Sequence, residues 1–381
     1  MDFAFSEEQD QLRRTVRAFL ADTSPETETR RLMETPEGFD RALWRRMGGE
    51  LGLQGLAVPE EYGGAGCGLV EVGVVMEEMG RALLCAPFLS SAVLATTTLL
   101  RSDDEDARKR LLPGLASGES VGTLALTEDS ARWDAAGVRL NARASDGCWL
   151  LTGHKMFVLD GATADVVLTV ARSDDDGFGV FSVDGDAPGL TRTPLPTMDP
   201  TRRQARLDYA DVPATRLRTH GDGMDLVSEV LDRAAVALAA EQVGVASRVL
   251  DMAVDYAKVR HQFGRPIGSF QAVKHLLADV LLEVESARAA AHYALLAAEG
   301  DDPDLPAVAS LAKAFCSDAC LRATAENIQV HGGIGFTWEH PAHLYLKRAK
   351  TSQHLFGDPA YHRELLARRI GLDAVTAEGA A

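Results

Sequence analysis

The 381-residue chain has no apolar run long enough to span a bilayer, which argues against a membrane-crossing helix. Positive charge is in short supply. Its 39 Lys and Arg stand against 56 Asp and Glu, a formal net charge of −17. That deficit speaks against nucleic acid and against an anionic membrane surface as partners. It leaves room for an anionic ligand, because local basic groups govern a site. Cysteine is scarce as well. The five, Cys67, Cys85, Cys148, Cys316 and Cys320, are odd in number and scattered, which suits a reducing cytoplasm rather than a disulfide framework. Cys316 and Cys320 lie one helical turn apart, but no second pair completes a zinc site, so no metal is expected and buried packing is their reading. The opening residues, MetAspPheAlaPheSerGluGluGlnAsp, lack an apolar signal core, and the chain has no internal repeat.

Hydrophobic residues make up 46% of the chain, as in a globular protein, and the length fits two or three packed domains. Residues 1–120 read as a helical domain. Leu12, Val16, Phe19 and Leu20 share one helix face, and a second helix starts at Val70 after the glycine-rich residues 58–68. Residues 121–222 change texture. Short apolar runs at 123–127, 148–153, 165–171 and 179–183, set between Gly and Asp turns, predict a β domain. Residues 223–381 are helical again, with stretches at 225–260, 270–300, 305–331 and 341–370 that suggest a four-helix bundle. The last stretch is expected to break near Gly357 and Pro359. Residues 376–381, ThrAlaGluGlyAlaAla, read as a disordered tail.

Two dense blocks border these helices. Residues 260–274 read ArgHisGlnPheGlyArgProIleGlySerPheGlnAlaValLys, and residues 329–341 read GlnValHisGlyGlyIleGlyPheThrTrpGluHisPro. Arg260 offers a guanidinium fork suited to a pyrophosphate. Gln271 and Gln329 supply neutral amides. Gly332, Gly333 and Gly335 let a backbone come close to an anion, because no Cβ intervenes. The ordinary alternatives are a surface salt bridge for Arg260 and a helix cap for the glycines.

Together the two blocks resemble the FAD-binding signatures of the acyl-CoA dehydrogenase family. The phrase at 58–68 resembles the same family, and the resemblance extends over nearly the whole chain. It implies a mainly α fold with a central, barrel-like β domain between an N-terminal α domain and a C-terminal four-helix bundle. It implies dimers or tetramers with FAD across a subunit interface, so that Arg260, Gln262, Phe263 and Gln271, with Gln329, Gly332 and Gly333, touch a flavin held largely by a neighbour. It further implies that Leu126 and Thr127 meet the flavin ring, that Phe157 covers it, and that Asp232 and Arg233 lie near the pantetheine arm of CoA. An exposed ion pair on the helix is the plainer account of the last two. Where the family continues with Pro, Gly and Ser after Glu128, this chain has Asp129 to Trp133; Arg132 is left open between a phosphate contact and solvation. Leu159 stands where a hydroxyl residue is often found.

The implied chemistry is α,β-dehydrogenation of an acyl-CoA thioester in fatty-acid or steroid side-chain β-oxidation, with electron-transferring flavoprotein or a similar acceptor. It needs a carboxylate base in a dry site, where desolvation raises its pKa. Here the chain departs from the family. Phe356 occupies the usual base position, and Ala234 occupies the alternative one on the long helix; neither accepts a proton. Glu241, about two turns beyond Ala234, sits among Leu238, Ala239, Ala240, Val243 and Val245. A carboxylate there is either paired with an arginine or desolvated for function, and it is the candidate base. Asp358 is the shorter alternative, with a helix N-cap as its plainer role. Four readings stand open. The first is a dehydrogenase of bulky or branched acyl groups using Glu241. The second is a flavin-binding subunit of a heterotetramer whose partner supplies the base. A non-catalytic scaffold and a flavin monooxygenase are the others.

Overall fold

The computed structural model describes residues 5–145, 147–173 and 177–372. The expected tail at 376–381 lies outside the described residues. The helices are α1 (Glu7–Thr23), α2 (Glu26–Met33), α3 (Arg41–Gly49), α4 (Leu69–Ala82), α5 (Thr96–Arg101), α6 (Glu105–Ala116), α7 (Gly223–Val259), α8 (Gln271–Glu299), α9 (Leu305–His331), α10 (Ala342–His354) and α11 (Pro359–Arg369). The strands are β1 (Gly122–Ala125), β2 (Asn141–Ser145), β3 (Cys148–Leu159), β4 (Val166–Ser173), β5 (Phe178–Asp184), β6 (Leu190–Pro194), β7 (Gln204–Arg216), β8 (His261–Gln262) and β9 (Arg265–Pro266). By Cα proximity the chain forms two compact units, residues 1–29, 69–84 and 235–381 in one, residues 30–68 and 85–234 in the other.

The first unit is helical. Its α1 begins with a reciprocal capping box between Ser6 and Gln9, and buries Val16 and Leu20. The 37-residue α7 contains no proline, and only its C-terminal part belongs to this unit. There α4 packs against it at very short range. A Cβ on Gly80 would stand 2.2 Å from the Glu241 carbonyl oxygen, and one on Gly244 would stand 1.8 Å from the Glu77 carbonyl oxygen. Only glycine permits that approach. The acidic pair on α4 is met by basic partners: Arg13 and Arg288 for Glu77, and Arg17 for Glu78, the last at 2.7 Å. The expected break near Gly357 is present, with Asp358 capping α11 by accepting from the Tyr361 amide at 2.8 Å. Cys316 and Cys320 are buried and free.

The second unit is built on a seven-stranded sheet of order β1-β4-β2-β3-β7-β5, with β6 on β7. The additional β4–β5 pairing closes the ring into a barrel. Apolar runs mark β1, β3, β4 and β5 in the sequence. They do not mark β2, β6 and β7: β7 alternates buried and outward positions over most of its length and carries Pro213, β2 buries only Ala142, and β6 buries none of its residues. Half-buried strands of this kind lack the continuous apolar run that identifies a core strand.

Candidate active site

In the helical unit the two glycine-rich blocks flank a contact between α7 and the end of α9. The chain leaves α7 at Val259 and turns through the β8–β9 hairpin, with Phe263 and Gly264 both at positive φ (52° and 76°). Phe263 is 92% exposed, and Arg260, Gln262, Gln271 and Gln329 are exposed as well. On α7, one turn ahead of Arg260, the Tyr256 ring stacks on His331 with centroids 4.3 Å apart, and His331 in turn meets His340 at 4.3 Å. His331 is buried and its Nδ1 lies 2.8 Å from the Asn327 carbonyl oxygen. It immediately precedes Gly332, which has φ 65°. A Cβ on Gly332 or Gly333 would meet nothing within 4 Å. Among the described residues no carboxylate comes within ion-pair distance of Arg260. An unpaired guanidinium, exposed amides and an open glycine backbone fit an anionic dinucleotide such as FAD. The structure thus brings Arg260, Gln262 and Phe263 to the same end of the helices as Gln329, Gly332 and Gly333.

In the barrel unit, Leu126 and Thr127 are held from beneath by a lysine that sequence reasoning missed. Lys155 is fully buried, and its Nζ donates to the Leu126 carbonyl and to Glu128 Oε1, both at 2.8 Å. Glu128 also accepts the amides of Arg139 and Leu140 at 2.8 and 2.9 Å. Burial pushes its pKa up, but the Lys155 ammonium and these amides outweigh burial and hold it below the usual carboxylate range. Thr127 Oγ1 donates to the Met156 carbonyl at 2.7 Å, and the Met156 amide returns a bond of 2.8 Å to the Thr127 carbonyl. Phe157, one residue on, takes φ 58° and is 38% exposed, whereas Leu159 is buried. Arg132 closes a bidentate pair on Asp134 at 2.8 and 2.5 Å, so its guanidinium is neither free nor merely solvated. Asp232 and Arg233 are 7% and 8% exposed, which corrects the account of them as an exposed ion pair. Arg233 Nη1 lies 3.4 Å from the Glu229 carbonyl oxygen and 4.0 Å from its Oε2.

Glu241 lies on α7 in the helical unit, 3% exposed, and it has an arginine. Arg348 on α10 donates to its Oε1 at 2.9 Å and to the Leu84 carbonyl at 3.2 Å. Arg348 was not identified from the sequence. Nothing in a linear reading pairs two residues so far apart, although an arginine in the otherwise apolar face of a bundle helix is the available signal. Phe356 is buried, and the turn that carries it is bound by two further unforeseen groups, Lys313 and His362. Lys313 sits in an apolar run, AlaSerLeuAlaLysAlaPheCys, without an acid at helical spacing. Among the described residues no cluster of His, Cys, Asp and Glu could hold a metal, and no helix is long and apolar enough to cross a membrane.

Comparison with known proteins places this geometry. The chain matches the acyl-CoA dehydrogenase N-terminal domain over residues 6–119, the middle domain over 123–212 and the C-terminal domain over 221–371. It is 37% identical to the acyl-CoA dehydrogenase IpdE2 of Mycobacterium tuberculosis over 362 residues, 95% of this chain and 96% of that protein. Among solved structures, the Tcur3481-Tcur3483 steroid ACAD aligns with a TM-score of 0.87 and 32% identity, covering 97% of this chain and 99% of that one. The ChsE4-ChsE5 complex of Mycobacterium tuberculosis aligns with a TM-score of 0.88 and 29% identity, again covering 97% and 99%. With matches to all three domains along its length, the chain belongs to the acyl-CoA dehydrogenase family, the flavin-dependent oxidoreductases of acyl-CoA thioesters.

Proposed function

We propose that this chain is the flavin-completing subunit of a heteromeric acyl-CoA dehydrogenase, and that its partner subunit supplies the base. The observation that carries this reading is the buried pair of Glu241 and Arg348. A base must give up its charge when it takes the α-proton, and a carboxylate bonded to a buried guanidinium resists doing so. The candidate base identified from the sequence is therefore assigned a structural role, and Phe356 and Ala234 offer no alternative. Two of the most similar solved structures are complexes of two differently named chains, which supports a heteromer. One of them is described as a steroid ACAD, which supports a bulky, ring-bearing acyl group.

In this reading Arg260, Gln329 and the open backbone at Gly332 and Gly333 would meet the pyrophosphate of an FAD held largely by a neighbouring subunit, and Leu126, Thr127 and Phe157 would border the ring of the FAD held by their own barrel. Bound FAD supplies the acceptor for the β-hydride while the base removes the α-proton, leaving a carbon–carbon double bond; electron-transferring flavoprotein or a similar acceptor then takes the electrons. Asp232 and Arg233 orient the pantetheine arm. The assembly is a tetramer, and the odd number and scatter of the five cysteines along the sequence suit a reducing cytoplasm. The test is co-expression with a second chain of this family. Light scattering and flavin absorbance should give a mixed tetramer with fewer FAD than chains. A homotetramer with one FAD per chain that oxidises acyl-CoA without a partner would contradict the proposal.

A further inference from the structure

Lys313 on α9 is fully buried, yet among the described residues no carboxylate lies within ion-pair distance of it. Its ammonium donates instead to the Gln353 carbonyl at 3.1 Å, the Gly357 carbonyl at 3.0 Å and Ser317 Oγ at 3.0 Å. Ser317 Oγ also receives Gln242 Nε2 of α7 at 3.0 Å, so the lysine joins α7, α9 and the chain between α10 and α11. A buried cation without a directly paired carboxylate is costly, and burial, only partly offset by the more distant Asp358 and Asp318, pushes its pKa down to about 7.

What it binds is a strained turn. Phe356 has φ 61°, a region unfavourable to a bulky side chain, and Gly357 follows at φ 107°. A Cβ on Gly357 would stand 2.2 Å from the Tyr361 ring, so the turn admits only glycine there. His362 on α11 lies on the other side. Its Nε2 is 3.1 Å from the Phe356 carbonyl oxygen, and its Nδ1 is buried without a partner, which assigns the proton to Nε2 as donor. Two buried basic side chains are therefore committed to consecutive carbonyls, 356 and 357, of one left-handed turn. Strain held in this way marks a side chain whose placement matters.

We propose that Lys313 is a positioning residue: its carbonyl-bound ammonium fixes the left-handed turn at Phe356, and so sets where the Phe356 ring stands in the acyl-CoA site. The proposal rests on the acyl-CoA reading above for the word site, but not for the turn itself. It differs from a general stabilising role, because its effect depends on the strain at residue 356. Glycine there adopts φ 61° without cost and needs no pin.

Hydrogen exchange on the FAD-loaded assembly tests it. The reporters are the amides of Leu355 and Gly357, which bond the carbonyls of Thr351 and His354. Lys313→Met should speed their exchange by about tenfold or more, as local opening does, and leave the amides at 238–246 of α7 unchanged. In a Phe356→Gly background the same substitution should have little effect. In the wild-type background Lys313→Met should also weaken binding of cyclohexanecarbonyl-CoA, read from the flavin spectrum, several-fold. Uniform acceleration along the chain, no acceleration, or equal acceleration in both backgrounds overturns the pin. If Lys313→Met does not fold, the proposal requires that Phe356→Gly with Lys313→Met does; failure of both overturns it. A wild-type assembly with no spectral response to any acyl-CoA counts against the functional reading instead, and the exchange result then judges the turn alone.

Discussion

Glu241 and Arg348 form a buried ion pair, 2.9 Å between Oε1 and Nη1, that ties the middle of α7 to α10. The side chains are 3% and 4% exposed, and the second arm of the guanidinium holds the Leu84 carbonyl. A pair so enclosed is expensive to break from one side, because the remaining charge keeps its desolvation cost and loses its partner.

Glu241→Gln should therefore destabilise the protein by about 3–5 kcal/mol, the scale for stranding a buried charge. Denaturant unfolding measures this. In the complete assembly the rate of flavin reduction should change by much less than the hundredfold expected for loss of a general base. A large loss of rate with little loss of stability would return Glu241 to the role of base.

Arg260→Ala should weaken FAD binding by roughly ten- to a hundredfold, since a hydrogen bond to a charged group contributes about 1.5–3 kcal/mol. Fluorescence of released flavin at equilibrium checks it. Because Arg260 is exposed and has no carboxylate partner among the described residues, the fold itself should lose little stability. Equal losses of FAD affinity and fold stability would show that the arginine is structural.

The pH dependence of stability should carry the mark of His362. Burial, followed by the nearby Lys313 charge, pushes its pKa down to about 3, from an ordinary value of 6.5. Between those values the unfolded chain binds a proton that the folded chain refuses. Stability therefore falls as pH is lowered from about 6.5 toward 3 and is unaffected by this group above that window. His362→Gln, whose side-chain amide can still donate to the Phe356 carbonyl, should show a shallower loss than the wild type across that window. Parallel curves for the two proteins would mean that His362 does not titrate in this way.

The helical architecture was legible because its signals are local. The α9 boundaries at 305 and 331 follow from Pro306 and Gly332, and the break before α11 follows from Gly357 and Pro359. The two glycine-rich blocks at 260–274 and 329–341 were legible because their glycines and basic side chains are contiguous. The polar interior was not. Lys155 with Glu128, Lys313 with the carbonyls of 353 and 357, and Arg348 with Glu241 each join residues 27, 40, 44 and 107 positions apart. Two of those contacts end on backbone oxygens, which no side-chain pattern announces. Strand β7 was missed for a related reason: its pairing with β3, not its own composition, makes it a strand.

A close-packing prediction follows from α4 and α7. Gly244→Ala places a Cβ against the Glu77 backbone, where side-chain rotation cannot relieve the clash. It should cost at least the roughly 1–3 kcal/mol typical of overpacking, seen as a lowered thermal midpoint. Gly332→Ala isolates the backbone contribution, since its Cβ meets open space but the residue has φ 65° and ψ −140°, a region that only glycine occupies readily; its cost should be about 1–3 kcal/mol, from backbone strain alone.

The most direct test of the central claim is anaerobic single-turnover flavin reduction with a ring-bearing acyl-CoA, run on the FAD-loaded chain alone and on the same chain with its partner subunit. The account predicts flavin bleaching only with the partner present, at a rate that survives Glu241→Gln in this chain and collapses when the partner's base is removed. Full bleaching by the chain alone, abolished by Glu241→Gln, would contradict it.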